Sequence, residues 1–325
     1  MTRHSCRRFL LCGLMALLPG TGAQAADFPT RPITIVVPYA AGGGGDVLAR
    51  LFAEKLKSRL GQPVLVDNKP GAGTLIGSEF VARAAADGHT LLLTTNTLLI
   101  APILNAAAAK FDPQKDFAPV LPLASIAIIM VANPAVPARD AGELIAYLKR
   151  NPTKVSFGSA GSGGITHLAG ELFKARAGVA MTHVPYKGAA PALTDLIGGQ
   201  IDVLFDAVIT AYPHVKSGKL KALGMGNAAR WSGAPDIPTI AESGLAGFEV
   251  SGWYGVLAPA GTPTAVLERL NAASNQILQD SDFVPKLEAA GLSALGGSLE
   301  SYRSTMRHDF ATWQKVIKDG NITLQ

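Results

Sequence analysis

The chain has 325 residues, and its 29 Lys and Arg residues against 24 Asp and Glu residues give a formal net charge of +5. Charged residues make up only 16% of the sequence and form no long basic run, which argues against a nucleic-acid-binding protein. Both cysteines, Cys6 and Cys12, lie within the first 25 residues. The rest of the sequence therefore offers no disulfide, thiolate metal ligand or cysteine nucleophile.

Residues 1 to 25 have the pattern of a cleavable signal peptide. Three arginines precede an apolar run over residues 9 to 18, and small residues follow at Ala23 and Ala25. The apolar run is too short to span a bilayer, which takes about 20 residues. We predict export, by the Sec or the twin-arginine route, and cleavage before Ala26. Losing the three arginines leaves 26 basic against 24 acidic residues, a net charge of +2.

Apolar runs of strand length then alternate with stretches of helical period, which predicts an α/β fold with parallel sheets covered by helices. The first series comprises predicted strands at residues 33 to 39, 64 to 67, 90 to 95 and 120 to 123, and helices at residues 46 to 60 and 75 to 86. The apolar run at residues 126 to 132 lacks alternation, as in a strand buried on both faces or crossing between lobes.

A second series repeats this order. It comprises predicted helices at residues 140 to 149, 166 to 175 and 191 to 197, and strands at residues 155 to 157, 181 to 186 and 203 to 205. A strand at residues 253 to 257 then leads to helices that return to the first lobe, at residues 263 to 278, 283 to 290 and 299 to 318. We predict two lobes, each a βαβ-built sheet flanked by helices, with lobe 1 at residues 26 to 125 and 246 to 325 and lobe 2 at residues 126 to 245.

Two glycine-rich loops join a strand to a helix, one in each predicted lobe. A helix N-terminus presents unpaired N–H groups and a positive dipole end, so it binds an anion without a cationic side chain. Ligands of open α/β sheets bind beyond the carboxyl ends of strands, where both loops would lie. A shared ligand cleft is therefore favoured over two flexible turns. The candidate binding residues in the loops are Tyr39, Ala40, Ala41, Gly42, Gly43, Asp46, Ser159, Gly161, Ser162 and Gly163.

Other polar residues lie at strand ends. Thr95 and Asn96 end a predicted strand and are candidates for ligand contact or for an ordinary helix cap. Asp206 follows the apolar strand at residues 203 to 205, where it is placed to receive a ligand ammonium, cap the next helix or hold a loop. Tyr186 lies at a further strand end. Asp46 of the first loop is also placed to cap its own helix.

Longer strings complete the pattern. Residues 33 to 43 read ITIVVPYAAGG, residues 67 to 73 read DNKPGAG, residues 183 to 188 read HVPYKG and residues 259 to 263 read PAGTP. Together these strings resemble the Bug-type solute receptors of tripartite tricarboxylate transporters, and the resemblance spans essentially the whole chain after the signal peptide.

The resemblance implies a two-lobed, type II-like periplasmic binding protein that closes over a small carboxylate and delivers it to a membrane permease. In the family the ligand carboxylate is held largely by backbone groups and bridging waters, here at positions matching residues 40 to 43, residues 159 to 164 and Asp206. His167 matches the family's second-lobe helix, where it contacts ligand or bonds a neighbouring loop. We expect a monomer that takes a dicarboxylate, an amino acid or an aromatic acid. Four consecutive glycines at residues 42 to 45 depart from the family pattern and imply a wider or looser pocket.

An enzyme and a sensory protein are the alternatives. The glycines at residues 71 to 77 have G-x-G-x-x-x-G spacing, which is not the dinucleotide fingerprint, and neither G-x-S-x-G nor H-x-x-x-H occurs. We therefore predict no catalytic residue, metal or cofactor. A sensory protein would use the same cleft and differ only in the partner that its closed form contacts.

Overall fold

The first series of elements builds a sheet with helices on its faces. The computed structural model describes residues 28 to 152, 154 to 319 and 322, so the predicted signal peptide lies outside the described residues. The first elements are β1 (Ile33–Val37), α1 (Gly44–Leu60), β2 (Val64–Asn68), α2 (Leu75–Ala82), β3 (Thr90–Thr95), α3 (Thr97–Leu104) and β4 (Phe117–Ile126).

The second series has the same alternation. Its elements are β5 (Ile128–Ala132), α4 (Ala141–Arg150), β6 (Ser156–Ser159), α5 (Ile165–Ala177), β7 (Thr182–Pro185), α6 (Ala189–Ile197), β8 (Val203–Ala207), α7 (Val208–Lys216) and β9 (Lys221–Met225). The chain then continues through β10 (Gly252–Pro259), α8 (Thr264–Ile277), α9 (Val284–Ala289), β11 (Leu292–Ala294) and α10 (Leu299–Asp319).

The strands form two separate sheets. One has six strands in the order β11-β4-β10-β3-β1-β2, and the other has five in the order β7-β6-β8-β5-β9. In the first sheet β1 is parallel to β2 and β3, and in the second β6 is parallel to β7 and β8. The carboxyl ends of three parallel strands therefore meet at one edge of each sheet. The predicted two-lobed α/β class is confirmed, and β10 lies in the first sheet between β4 and β3.

The sequence explains why these segments form these elements. β1 is fully or largely buried and consists of β-branched residues, which fit a sheet covered on both faces. α1 buries Leu48, Phe52 and Leu56 at intervals of four residues, so one stripe of the helix packs on the sheet. Gly61 ends α1 with φ 72°, a left-handed conformation that glycine adopts without strain.

The chain crosses between the sheets at Ala127. The run predicted as a single strand over residues 126 to 132 is interrupted there, because Ile126 ends β4 and Ile128 begins β5. The side chain of Asn227 bridges the break: its Oδ1 accepts the Ile128 N–H at 2.8 Å and its Nδ2 donates to the Ile126 carbonyl at 3.2 Å. The chain returns to the first sheet between β9 and β10, and there the Val250 N–H donates to the Gly226 carbonyl at 2.8 Å. The two segments that cross between the sheets therefore lie side by side. The predicted lobe boundaries stay predictions.

None of the helices in the described residues is long and apolar enough to span a membrane. Four of the elements, α3, α7, β9 and β11, had no counterpart in the prediction from sequence.

Candidate functional site

The first glycine-rich loop ends at the N-terminus of α1 without a side-chain cap. Gly43 is the N-cap residue, with φ −79° and ψ 167°. Its own N–H donates to the Ala40 carbonyl at 3.4 Å. The amides of Gly44 and Gly45, in the first turn, have no acceptor among the described residues. They are available to an anion at the positive end of the helix dipole.

The second loop repeats this geometry at the N-terminus of α5. Gly164 is the N-cap residue, with φ −87° and ψ 169°, and makes no side-chain cap. Its N–H donates to the Gly161 carbonyl at 3.2 Å, which is the counterpart of the bond between Gly43 and Ala40. The two loops thus present two helix N-termini in the same way, one from each lobe.

Two side chains of α5 hold the second loop in place. Thr166 Oγ1 accepts the Ala160 N–H at 2.9 Å, and His167 Nδ1 accepts the Gly163 N–H at 3.2 Å. The loop is therefore fixed from its own helix, and its backbone is positioned before any ligand arrives.

One cavity lies where six helices begin. Its lining includes Gly44 of α1, Thr74 before α2, Thr97 of α3, Ile165 of α5, Ala189 of α6 and Ala207 before α7. None of these six helices is capped by the side chain of its N-cap residue. The cavity has an empty volume of ≈ 550 Å³, part of it open to solvent, and no Lys or Arg of the described residues lines it. Its positive potential comes from the backbone.

Hydroxyl groups connect the two lobes along one wall of the cavity. Tyr39 Oη lies 2.8 Å from Thr95 Oγ1, which lies 2.8 Å from Thr97 Oγ1. Thr97 Oγ1 accepts the Ile165 N–H at 3.4 Å. Since Ile165 is the first residue of α5, this chain of hydroxyls reaches from the first lobe into the second.

Asp206 places a buried carboxyl group in the cavity. It lies in β8, is 2% exposed, and its Oδ2 accepts the Thr210 hydroxyl at 2.6 Å. Burial raises the pKa of Asp206 to about 7, and the bond from Thr210 only partly opposes this. At neutral pH both the protonated and the ionised form are therefore accessible. The neutral form donates a hydrogen bond to a ligand carboxylate, whereas the ionised form attracts an ammonium group.

Tyr254 of β10 adds a phenol that sequence reasoning missed. It is 4% exposed, and its hydroxyl makes no hydrogen bond within the described residues. A Cβ atom at Gly44 would lie 2.6 Å from this hydroxyl, so the phenol sits directly over the start of α1. Burial raises the pKa of Tyr254 well above its usual range. The phenol therefore keeps its proton and is a hydrogen-bond donor.

The cavity brings together five of the predicted binding residues, namely Tyr39, Gly43, Thr95, Gly161 and Asp206. The remaining predicted residues lie around it.

In the first loop, four predicted residues lie outside the cavity lining. The Ala40 N–H donates to the Lys187 carbonyl of the second lobe at 3.1 Å, and Ala41 and Gly42 are exposed. Asp46 Oδ2 accepts the Gly42 N–H at 2.9 Å, and its Oδ1 pairs with Arg50 at 2.9 Å. Burial alone would raise the pKa of Asp46, but these bonds outweigh it and lower the pKa. Asp46 thus holds the loop.

In the second loop, Ser159, Gly163 and His167 support the cavity from behind. Ser159 Oγ lies 2.7 Å from Nε2 of His183, whose ring stacks on that of His167 with centroids 4.0 Å apart. Burial lowers the pKa of both histidines, that of His183 to about 3, so both rings are neutral. Gly163 packs against Ala101 of α3.

Three further predicted residues lie beside the cavity. The side-chain amide of Asn96 is buried, with its Nδ2 3.5 Å from the Ser251 carbonyl. Tyr186 donates its hydroxyl to Asp195 Oδ2 at 2.7 Å. Ser162 and Tyr186 line a second cavity that adjoins the first.

The two lobes touch across the cleft. In addition to the bond between Ala40 and Lys187, the backbone at Gly73 packs against the Ser162 carbonyl so closely that a Cβ atom at residue 73 would lie 2.1 Å from that oxygen. Only glycine fits there, so the two lobes are in direct backbone contact at this point.

Comparisons with known proteins agree with this architecture. Residues 48 to 322 match the model of the tripartite tricarboxylate transporter family receptor. Protein BugT of Bordetella pertussis is 33% identical over 322 residues, which cover 98% of this chain and 99% of BugT. The UPF0065 protein in the tcbD-tcbE intergenic region of Pseudomonas sp. strain P51 is 39% identical over 315 residues, which cover 96% of this chain and 94% of that protein.

Solved structures have the same fold. A protein from R. palustris with adipate has a TM-score of 0.89 and 35% identity, covering 91% of this chain and 99% of its own. MatC from Rhodopseudomonas palustris with bound malate has a TM-score of 0.85 and 33% identity, covering 89% of this chain and 100% of its own.

The two lobes and the cleft between them define a periplasmic binding protein fold. Within that class the chain belongs to the tripartite tricarboxylate transporter receptor family, and its resemblance to the Bug-type receptors is confirmed.

Asp206→Asn is expected to stabilise the ligand-free protein in a pH-dependent way. Because burial raises the pKa of Asp206 from 3.8 to about 7, the folded state holds this proton more tightly than the unfolded chain does. Wild-type stability should therefore fall as the pH rises from about 4 to about 7. Asparagine does not ionise, so the gain in unfolding free energy should be small near pH 4 and reach on the order of a few kcal/mol near pH 8.

Unfolding by denaturant at several pH values measures this difference. Asp236→Asn, at an exposed position, is the matched control and should show no such trend. A gain at Asp206→Asn that is the same at all pH values would contradict the raised pKa.

Proposed function

We propose that this chain is an extracytoplasmic solute-binding protein that captures a small carboxylate in its cleft and delivers it to the membrane subunits of a tripartite transporter. The observation that carries the proposal is the convergence of six helix N-termini on one cavity between the lobes, with the amides of Gly44 and Gly45 at the start of α1 unpaired among the described residues. Unpaired amides at helix N-termini are suited to an anion without a cationic side chain, and the adipate and malate named for two relatives favour a carboxylate among such anions.

The proposed contacts come from both lobes. The amides of Gly44 and Gly45 in the first lobe and the N-terminus of α5 in the second would bind the carboxylate oxygens. Tyr39 and Tyr254 would add hydroxyl donors, and Asp206 would donate its proton. Ligand bound to both lobes stabilises the closed state relative to an open one, so affinity includes the free energy of closure.

Both the site and the relatives support the proposed class of ligand. The proteins solved with adipate and with malate both hold dicarboxylates. Because the loop and cavity residues of this chain offer backbone amides, hydroxyls and one titrating carboxyl, a dicarboxylate, an amino acid or an aromatic acid would fit. We propose a binding protein that uses no metal and no cofactor and catalyses no reaction.

Partner and location are part of the same proposal. The family is described as a transporter receptor, which supports membrane permease subunits as the partner. Export by the predicted signal peptide would place the chain in the periplasm, where we expect a monomer.

A thermal-shift screen of residues 26 to 325 tests the proposal directly. The protein is first unfolded and refolded to remove co-purified ligand, then scanned against dicarboxylates, amino acids and aromatic acids. A ligand at about 100 times its dissociation constant adds roughly 2.7 kcal/mol of stability, so the melting midpoint should rise with ligand concentration for at least one carboxylate. No shift with any carboxylate, in protein that refolds, would refute the proposed ligand class.

The pH dependence of binding separates the two kinds of ligand. A carboxylate without an amine should bind best while Asp206 is protonated, so its affinity should fall as the pH rises through about 7, by up to about tenfold per pH unit. An amino acid whose ammonium meets ionised Asp206 should bind more tightly over the same range. Calorimetry between about pH 6 and 9 measures the slope, which Asp206→Asn should remove; a wild-type slope that survives this substitution would show that Asp206 is not its source.

Gly43→Asp should abolish binding without unfolding the protein. Aspartate is among the best N-cap residues, and the φ of −79° at Gly43 admits any L-residue. The new carboxylate would take the α1 amides that the ligand needs, so the ligand-free melting midpoint should hold or rise while affinity falls by about a hundredfold or more.

Gly43→Ala is the matched control. Its Cβ atom would have the Ala40 carbonyl oxygen, at 3.4 Å, as nearest neighbour, so it adds little bulk and no acceptor and should bind within a few-fold of wild type. Gly161 is less suitable for such a test, because its φ of 151° strains any side chain. Wild-type affinity in Gly43→Asp would show that the α1 amides do not hold the ligand.

A further inference from the structure

Thr74 has a backbone conformation that threonine rarely adopts. Its φ of 82° and ψ of −9° lie in the left-handed region, where a β-branched side chain is an outlier. In the part of the chain that the structure describes, Ala72 is the only other non-glycine residue with positive φ. Glycine would relieve this strain, so the presence of threonine needs a reason.

The hydroxyl of Thr74 has no hydrogen-bond partner in the described part of the chain. Thr74 is 4% exposed, and its Oγ1 is buried without a hydrogen bond. Although Thr74 is the N-cap residue of α2, its side chain does not bond the first turn. A buried hydroxyl without a partner is unfavourable and is rare in folded proteins. Strain and an unsatisfied group thus coincide at one residue.

The position of Thr74 indicates that a ligand could be the hydrogen-bond partner of its hydroxyl. Thr74 lines the cavity at the helix N-termini and also the adjoining second cavity, which has an empty volume of ≈ 890 Å³, part of it open to solvent. The second cavity lies between the lobes, since Ser162 and Lys187 of the second lobe line it together with Thr74. Thr74 therefore lies where a ligand that starts at α1 and α5 would continue outward.

We propose that Thr74 is a specificity-determining residue, whose hydroxyl hydrogen-bonds an oxygen at the distal end of a ligand that is anchored by its first carboxylate at the N-termini of α1 and α5. This inference rests on the proposed function and deepens it. A distal carboxylate, carboxamide or hydroxyl satisfies Oγ1, and the N-terminus of α2 beside it favours negative charge. A ligand with an apolar distal end leaves Oγ1 buried and unpaired, so it is rejected.

Matched ligand pairs test the inference. Calorimetry compares succinate with butyrate and adipate with hexanoate, because each pair differs only in whether the distal end is a carboxylate or a methyl group. Wild type should prefer the dicarboxylate of at least one pair by about tenfold or more. Thr74→Val keeps the shape and removes the hydroxyl, so it should weaken that dicarboxylate about tenfold to a hundredfold and change the monocarboxylate by less than about threefold. Thr74→Ser should restore the preference.

Two further variants separate recognition from packing. Thr74→Gly should raise the ligand-free melting midpoint, because the strain is relieved, and yet lose the preference between paired ligands. Ser78→Ala is the control, since Ser78 is equally buried in α2 with an unpartnered Oγ but lines neither cavity; it should leave the preference unchanged.

The outcomes are distinct. A wild-type preference that persists in folded Thr74→Val or Thr74→Gly overturns the role of Thr74 and leaves the proposed function intact, as does equal binding of both members of every pair by wild type. If wild type binds no carboxylate at all, the proposed function fails and this inference fails with it.

Discussion

An anion site built from backbone amides requires that those amides stay unpaired until the ligand arrives. α4, away from the cleft, has its first turn satisfied by Asp140, whose carboxylate accepts the Glu143 N–H at 2.8 Å. The N-cap residues of the helices at the cavity include Gly43, Gly164 and Gly188, and none of them supplies a side-chain cap. A missing cap alone carries no meaning, because α8 also lacks one. What matters is that six helix N-termini meet at one cavity and that the α1 amides of Gly44 and Gly45 have no acceptor among the described residues, so a ligand can supply one there.

In the proposed site, the buried carboxyl group of Asp206 would distinguish between ligands. If Asp206 were exposed it would be ionised at neutral pH and would repel any carboxylate; burial raises its pKa to about 7 instead, so the same group can donate a proton or carry a charge. In the proposed site the ligand would itself decide the protonation state of Asp206, because a carboxylate favours the protonated form and an ammonium group favours the ionised form.

Elements that are determined by a few consecutive residues could be predicted from the sequence. The glycine loops, the strand at β1 and the long helices α1 and α10 were predictable, because periodicity and glycine runs belong to a few consecutive residues. α3 and α7 were missed because each is short and contains a proline, Pro102 or Pro213. β11 has three residues and is a strand only through its pairing with β4. Tyr254 was not predicted as a site residue for a similar reason. It lies within a predicted strand, but its hydroxyl reaches the start of α1 only because β10 pairs with β3.

The turn before α2 contains both a contact between the lobes and the proposed specificity-determining residue. Gly73 must be glycine because the Ser162 carbonyl of the other lobe occupies the space of a side chain, and Thr74, the next residue, carries the strained backbone and the unsatisfied hydroxyl. If the lobes separate in the ligand-free protein, as we propose, the contact at Gly73 is lost, and closing the cleft encloses the Thr74 hydroxyl between the lobes. A ligand that leaves this hydroxyl unpaired would then stabilise the closed state less than one that bonds it. Selectivity at this turn would thus be a difference in the free energy of closing the cleft.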